Sequence, residues 1–177
     1  RPEGVYELDV SFQSMYNENH CRETSIKVRG TLDKKREKGQ FIGAFAPYGY
    51  LKDPEDYHHL VVNPETAPVV KDIFRWYMEG MSKSAITKEL IRLGIPSPYE
   101  YKRQHGMKCF NPQAVKKGGV VYWSTRTVDQ ILHNPTYIGD MVQGRHKVTS
   151  YKIHDIIPVD EADWFWVEGT HEAIIDA

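Results

Sequence analysis

The 177 residues, 40% apolar and 12% aromatic, suffice for one buried core and a small appendage. Cys21 and Cys109 are too far apart in sequence for a disulfide framework or zinc knuckle, residues 1–4 open no apolar leader, and no window approaches the roughly 20 apolar residues of a membrane span. A cytoplasmic chain without metal or cofactor is expected, and its net charge of −1 is strongly polarised: no Lys or Arg follows Lys152, leaving residues 1–152 with 17 acids against all 23 basic residues, about +6.

Residues 14–38 hold no proline and one glycine, Gly30, with Cys21, Ser25, Val28 and Leu32 at spacings of four, three and four. This spacing predicts one narrow face of a long helix stopped by Gly39. Its other faces carry Arg22, Lys27, Arg29, Lys34, Lys35, Arg36 and Lys38 against Glu23, Asp33 and Glu37. A face this thin must lean on another domain or subunit, and the residues up to about Phe12 are expected to be the remnant of a preceding segment. Residues 40–46 are then an extended linker, since Pro47 blocks helix. Residues 48–52 and 59–62, around Asp53-Pro54-Glu55-Asp56, predict a short hairpin.

Asn63-Pro64-Glu65 predicts a helix start, with Val69, Val70, Ile73, Phe74, Trp76 and Tyr77 as its apolar face and a stop at Gly80. Ser82 caps a second helix carrying Ile86, Leu90 and Leu93 and ended by Gly94. Residues 95–122, with Pro96, Pro98, Pro112 and Gly118-Gly119, read as a long loop. The stretch 101–128 is basic, with Lys102, Arg103, Lys108, Lys116, Lys117 and Arg126 and no acid. Ser124 or Thr125 caps a third helix whose Val128, Ile131 and Leu132 face the core, Trp123 packing beside them and Asn134-Pro135 closing it. Residues 137–142 and 151–159 suggest a second hairpin around 145–150. The acidic end, with Trp164, Phe165 and Trp166, reads as a boundary into a following domain.

The fold class is therefore α+β: a long N-terminal helix, a helix-turn-helix-like three-helix core with its turn expanded to nearly thirty residues, and small flanking β-hairpins. The exposed positions of the third helix suit base reading. Arg126 can bond guanine N7 and O6 together, Gln130 can pair with adenine, and Ser124, Thr125 and Thr127 can reach phosphates or thymine methyls.

The ordered set Asn17-Glu18, the basic helix to Lys38-Gly39, Pro47-Tyr48-Gly49-Tyr50, Val62-Asn63-Pro64-Glu65, Gly80-Met81-Ser82, Leu93-Gly94-Ile95-Pro96, Trp123-Ser124 and Asn134-Pro135-Thr136-Tyr137-Ile138-Gly139 resembles the recombinase domain of large serine recombinases. The resemblance implies double-stranded DNA as partner and a full-length protein that self-associates, as a dimer on a site and a tetramer in synapsis. Strand exchange would belong to a separate serine domain, and none of the serines here matches its nucleophile, so no catalytic residue is assigned. It implies the divisions 1–39 (end of a connecting helix), 40–47 (linker along the minor groove), 48–160 (DNA-binding domain) and 161–177 (junction towards a zinc ribbon). The expected DNA-binding residues are Arg29, Lys34, Lys35, Arg36, Lys38, Gln40, Lys116, Lys117, Ser124, Thr125, Arg126, Thr127, Gln130 and Arg145.

Plainer readings stand beside these. Tyr48 and Tyr50 suit packing better than base contact, and the basic helix could be merely solvated. His154-Asp155 has the wrong order for an HNH nuclease, and neither His58-His59 nor His105 with Cys109 has a second pair with which to hold a metal. A transcription regulator or a protein-interaction module could use the same fold.

Overall fold

The computed structural model describes residues 3–109, 120–150, 152–153 and 155–176, with side chains from residue 13 onward. They form two compact units, Arg1–Ala44 with Met141–Thr170, and Phe45–Asp140 with His171–Ala177.

The first unit is built on α1, Glu3–Glu37. Its 35 residues span about 52 Å at 1.5 Å per residue. The helix thus runs through residues 3–13, where a remnant of another segment was expected. It stops at Gly39, whose φ of 70° lets its N–H reach the Arg36 carbonyl at 2.9 Å and the Gln40 N–H reach that of Lys35 at 3.0 Å. A Cβ on Gly39 would stand 2.5 Å from Thr170 Cγ2, so conformation and space both require glycine.

A β-ribbon completes this unit. Strand β3 (Met141–Gln143) pairs antiparallel with β6 (Phe165–Val167), and β4 (His146–Val148) pairs with β5 (Ile156–Pro158). Gln143 brackets the linker: its amide oxygen accepts from Ile42 N–H at 3.2 Å and its Nε2 donates to the Gln40 carbonyl at 2.8 Å. Farther out, the Lys152 ammonium meets the Glu18 carboxylate. The contacts at Arg36 and Glu18 are about 27 Å apart along the helix at 1.5 Å per residue.

The expected second hairpin is corrected in register. Residues 146–148, read as its turn, form a strand, and 165–167, read as a boundary, supply the partner of 141–143. The reason lies upstream. Asn134 Oδ1 accepts the Thr136 N–H at 3.3 Å and starts a 3-10 turn, Pro135–Ile138, which removes Tyr137 from any strand.

In the second unit β1 (Tyr50–Lys52) and β2 (Leu60–Val62) form the expected first hairpin, Tyr50 opposite Val62. Helix α2 (Ala67–Met78) begins one turn later than expected. Instead of capping at Pro64, the Asn63 side chain accepts the Glu65 N–H at 3.0 Å and closes a turn, while its carbonyl takes the Ala67 N–H at 2.9 Å. Helix α3 (Lys83–Arg92) starts at Ser82, whose Oγ accepts the Ala85 N–H at 3.2 Å. A further helix, α4 (Pro98–Gln104), lies inside the stretch read as loop, and α5 (Thr125–Leu132) follows it.

Val70 and Ile73 of α2, Ile86 and Leu90 of α3, and Val128 and Ile131 of α5 form the core. Tyr77 and Leu93, assigned to apolar faces from their spacing, are exposed because they fall at helix ends beyond the packed turns. Tyrosines seal the far side. Tyr137 donates to the buried Tyr48 carbonyl at 2.7 Å, and the Tyr50 hydroxyl lies 3.0 Å from the Thr136 carbonyl and 2.9 Å from that of Glu172. Burial raises the Tyr50 pKa to about 12, so its phenol remains a donor. Tyr48 and Tyr50 are therefore packing residues. The tail also joins this core: Ile174 is buried and its N–H reaches the Tyr137 carbonyl at 2.9 Å.

Candidate nucleic-acid interface

Helix α5 is short and divided into two faces. Val128 and Ile131 are buried against α2 and α3, whereas Thr125, Arg126 and Gln130 are exposed. Arg126 and Gln130, four residues apart, share one side of the helix. Their side chains have no hydrogen-bond or ion-pair partner among the described residues. Ser124 and Thr127 are engaged otherwise. The Ser124 hydroxyl accepts the Thr127 N–H at 3.2 Å and lies 2.8 Å from the Thr127 hydroxyl, so both serve the helix cap.

Two features that sequence reasoning missed hold this helix. Asp129 forms an ion pair with Lys83, at the start of α3, and its carboxylate is 3.3 Å from His133 Nδ1. The Lys83 hydrogen bond lowers the Asp129 pKa and raises that of Lys83. The pair links α3 to α5 across 46 residues and has no local sequence signal.

The second feature lies on α4. Ser97 caps it and also donates to the Val121 carbonyl, while Glu100, only 6% exposed, accepts the Val121 N–H at 2.9 Å. Arg103 donates to the other Glu100 oxygen at 2.9 Å through Nε and 2.7 Å through a terminal nitrogen. Burial alone would raise the Glu100 pKa, but the Val121 N–H and Arg103 outweigh it and hold the carboxyl below its ordinary value. Trp123 Nε1 donates to the Ile95 carbonyl at 2.9 Å, and its ring meets Tyr48 edge-on at 5.4 Å. Ser97-Pro98-Tyr99-Glu100 was the available clue, a Ser-x-x-Glu start with proline in the first turn.

The basic end of α1, in the other unit, divides similarly. Arg29, Lys34 and Lys38 are exposed, and Lys35 is half-buried. Arg36 bonds Asp33 at 2.5 Å and lies over Phe165 at 5.8 Å, while Arg145 stacks on Trp164 at 4.9 Å. Packing thus occupies one face of each guanidinium. Gln40 offers its carbonyl to Gln143. Lys116 and Lys117 lie outside the described residues. The candidate positions therefore form two groups, one on α5 and one on α1 with the ribbon.

A three-helix core with an exposed polar helix defines a helix-turn-helix-like module, and comparison makes the class specific. The model of the Recombinase family matches residues 64–177, most of the chain, which therefore belongs to that family. The resemblance drawn from the ordered motifs is borne out, as is the α+β class.

Among solved structures, an LSR–DNA complex is similar at 18% identity and TM-score 0.47 over 85% of this chain and 33% of its own. A second structure, concerning the sequence requirements of the Listeria innocua prophage attP site, is similar at 20% identity and TM-score 0.46 over 84% of this chain and 45% of its own. The chain thus spans a third to under a half of the chains it resembles. Comparison with curated proteins finds no match. No described helix is long and apolar enough to cross a membrane.

Proposed function

We propose that the chain is the DNA-binding part of a large serine recombinase and recognises attachment-site or transposon-end duplexes, with strand exchange performed by a serine domain outside residues 1–177. One observation carries this reading within the family: α5 buries one face in the core and presents Arg126 and Gln130, without partners among the described residues, on the other. A side chain with unspent donors on a rigid helix has the chemistry of a major-groove reader. Thr125 lies at its start, with Ser124 and Thr127 supporting the cap. Arg29, Lys34, Lys35 and Lys38, with Arg36 and Arg145, act on phosphates, with Gln40 in a linker following the minor groove and Lys116 and Lys117 adding charge. Residues 1–39, 40–47, 48–160 and 161–177 then serve as connecting helix, linker, recognition domain and onward junction. The full protein works as a dimer on each site.

Selection of bound sequences from random duplexes tests this. The wild-type chain should enrich a defined motif, and Arg126→Ala should enrich the same motif with one or two base pairs relaxed. Enrichment of no motif by the wild-type chain would contradict the reading.

A further inference from the structure

The expanded turn between α3 and α5 is closed at its base. Trp123 and Ile95 are joined by the indole N–H, and both polar groups of the Val121 peptide are taken, the carbonyl by Ser97 and the N–H by Glu100. These bonds cross 28, 24 and 21 residues, so they fix where the chain re-enters α5 wherever the residues between them travel. Glu100 is the centre of the arrangement. It is a buried carboxylate on a seven-residue helix that contributes no other buried side chain, and both of its oxygens are used. A carboxylate is costly to bury, and here the burial is compensated by an N–H three residues ahead of Ser124, the α5 cap, and by Arg103.

We infer that Glu100, assisted by Ser97, is a positioning residue for sequence recognition: by holding the Val121 peptide it sets the start and orientation of α5, and so the placement of Arg126. This inference rests on α5 being the DNA reader. Glu100 itself is turned into the protein and touches no nucleic acid. Its removal should lower discrimination between sequences and leave the phosphate-driven part of binding unchanged, because the basic end of α1 belongs to the other unit.

The test compares Glu100→Ala, Glu100→Gln and Arg126→Ala in the full chain, using the duplex selected by the wild-type protein and a scrambled duplex of the same length. Glu100→Ala should reduce the specific-to-scrambled affinity ratio about tenfold, the size expected for one lost hydrogen bond to a charged acceptor. Affinity for the scrambled duplex and the salt slope should not change. Glu100→Gln keeps an oxygen for the Val121 N–H and should restore most of the ratio, although it weakens the Arg103 pair. Hydrogen exchange supplies a second measure: in Glu100→Ala the Val121 amide should lose protection while the α2 and α3 amides keep theirs.

An unchanged ratio in Glu100→Ala with faster Val121 exchange would overturn the inference, and so would equal losses on both duplexes. If protection in α2 and α3 falls as well, Glu100→Gln decides alone, a ratio as low as that of a misfolded chain counting against positioning. Failure of the parent reading looks different: Arg126→Ala would then leave the ratio untouched.

Discussion

Helices α1 and α5 offer the same kind of basic and polar surface on opposite physical terms. The longer one, 35 residues, has no fully buried residue among its described positions, and Met15, Tyr16, Ile26 and Val28 lie open to solvent. The shorter one, eight residues, buries Val128 and Ile131, is capped by Ser124 and is tied to α3 and to the base of the expanded turn. An isolated eight-residue helix is unstable in water, so α5 exists only because its surroundings hold it. Position therefore follows from burial and not from length. Side chains on α5 are suited to discrimination, which needs sub-ångström placement, while the exposed basic residues of α1 suit phosphates, which tolerate looseness.

The largest effect that could break this contrast is in the cores. Leu90→Ala should cost about 2–5 kcal/mol of stability in the second unit, whereas Val28→Ala on α1 should stay within about 0.5 kcal/mol, both read by denaturant unfolding. Comparable losses would mean that α1 is packed as tightly as the core on which α5 rests. Next comes the tyrosine seal. Tyr137→Phe leaves the buried Tyr48 carbonyl without its donor and should cost about 1–3 kcal/mol, with a lower melting temperature and no cavity.

Gly39→Ala tests the first unit. Its left-handed backbone and the approach of Thr170 predict a cost of about 1–2 kcal/mol, seen as faster amide exchange in β6. The core amides of the second unit should not respond.

The smallest effect is pH-dependent. The folded Glu100 carboxyl is held below its ordinary 4.5, so its contribution is complete above that value and lost as pH falls through the lower folded value. Stability of the wild-type chain should decline as pH falls below about 4.5, and Glu100→Gln should flatten that decline. An identical profile for the two proteins would show that the carboxylate is not the titrating support of the turn.

Elements with local signals were legible in the sequence: Gly39 as a stop, Ser82 and Ser124 as caps, and the 3.6-residue periodicity of α3 and α5. Tertiary partnerships were not. Lys83 and Asp129, or Gln143 with Gln40, share no spacing pattern because only the folded chain brings them together. Strand register failed for the same reason. In three-residue strands alternation is too short to distinguish 146–148 from a turn, so pairing decided what propensity could not. Helix α4 did have a signal, Ser97-Pro98-Tyr99-Glu100, obscured by the surrounding prolines and glycines. Of the candidate interface, the exposure of Arg126 and Gln130 followed from periodicity, whereas the stacking of Arg36 and Arg145 on Phe165 and Trp164 required the ribbon.

The central claim is that α5 discriminates and α1 only attracts. Competition binding of Arg126→Ala and Lys34→Ala to the selected and scrambled duplexes at several salt concentrations tests it most directly. Arg126→Ala should lose about 1–3 kcal/mol on the selected duplex alone, while Lys34→Ala should weaken both duplexes alike and flatten the salt dependence by roughly one unit of slope. Equal, sequence-independent losses for the two variants would contradict the account.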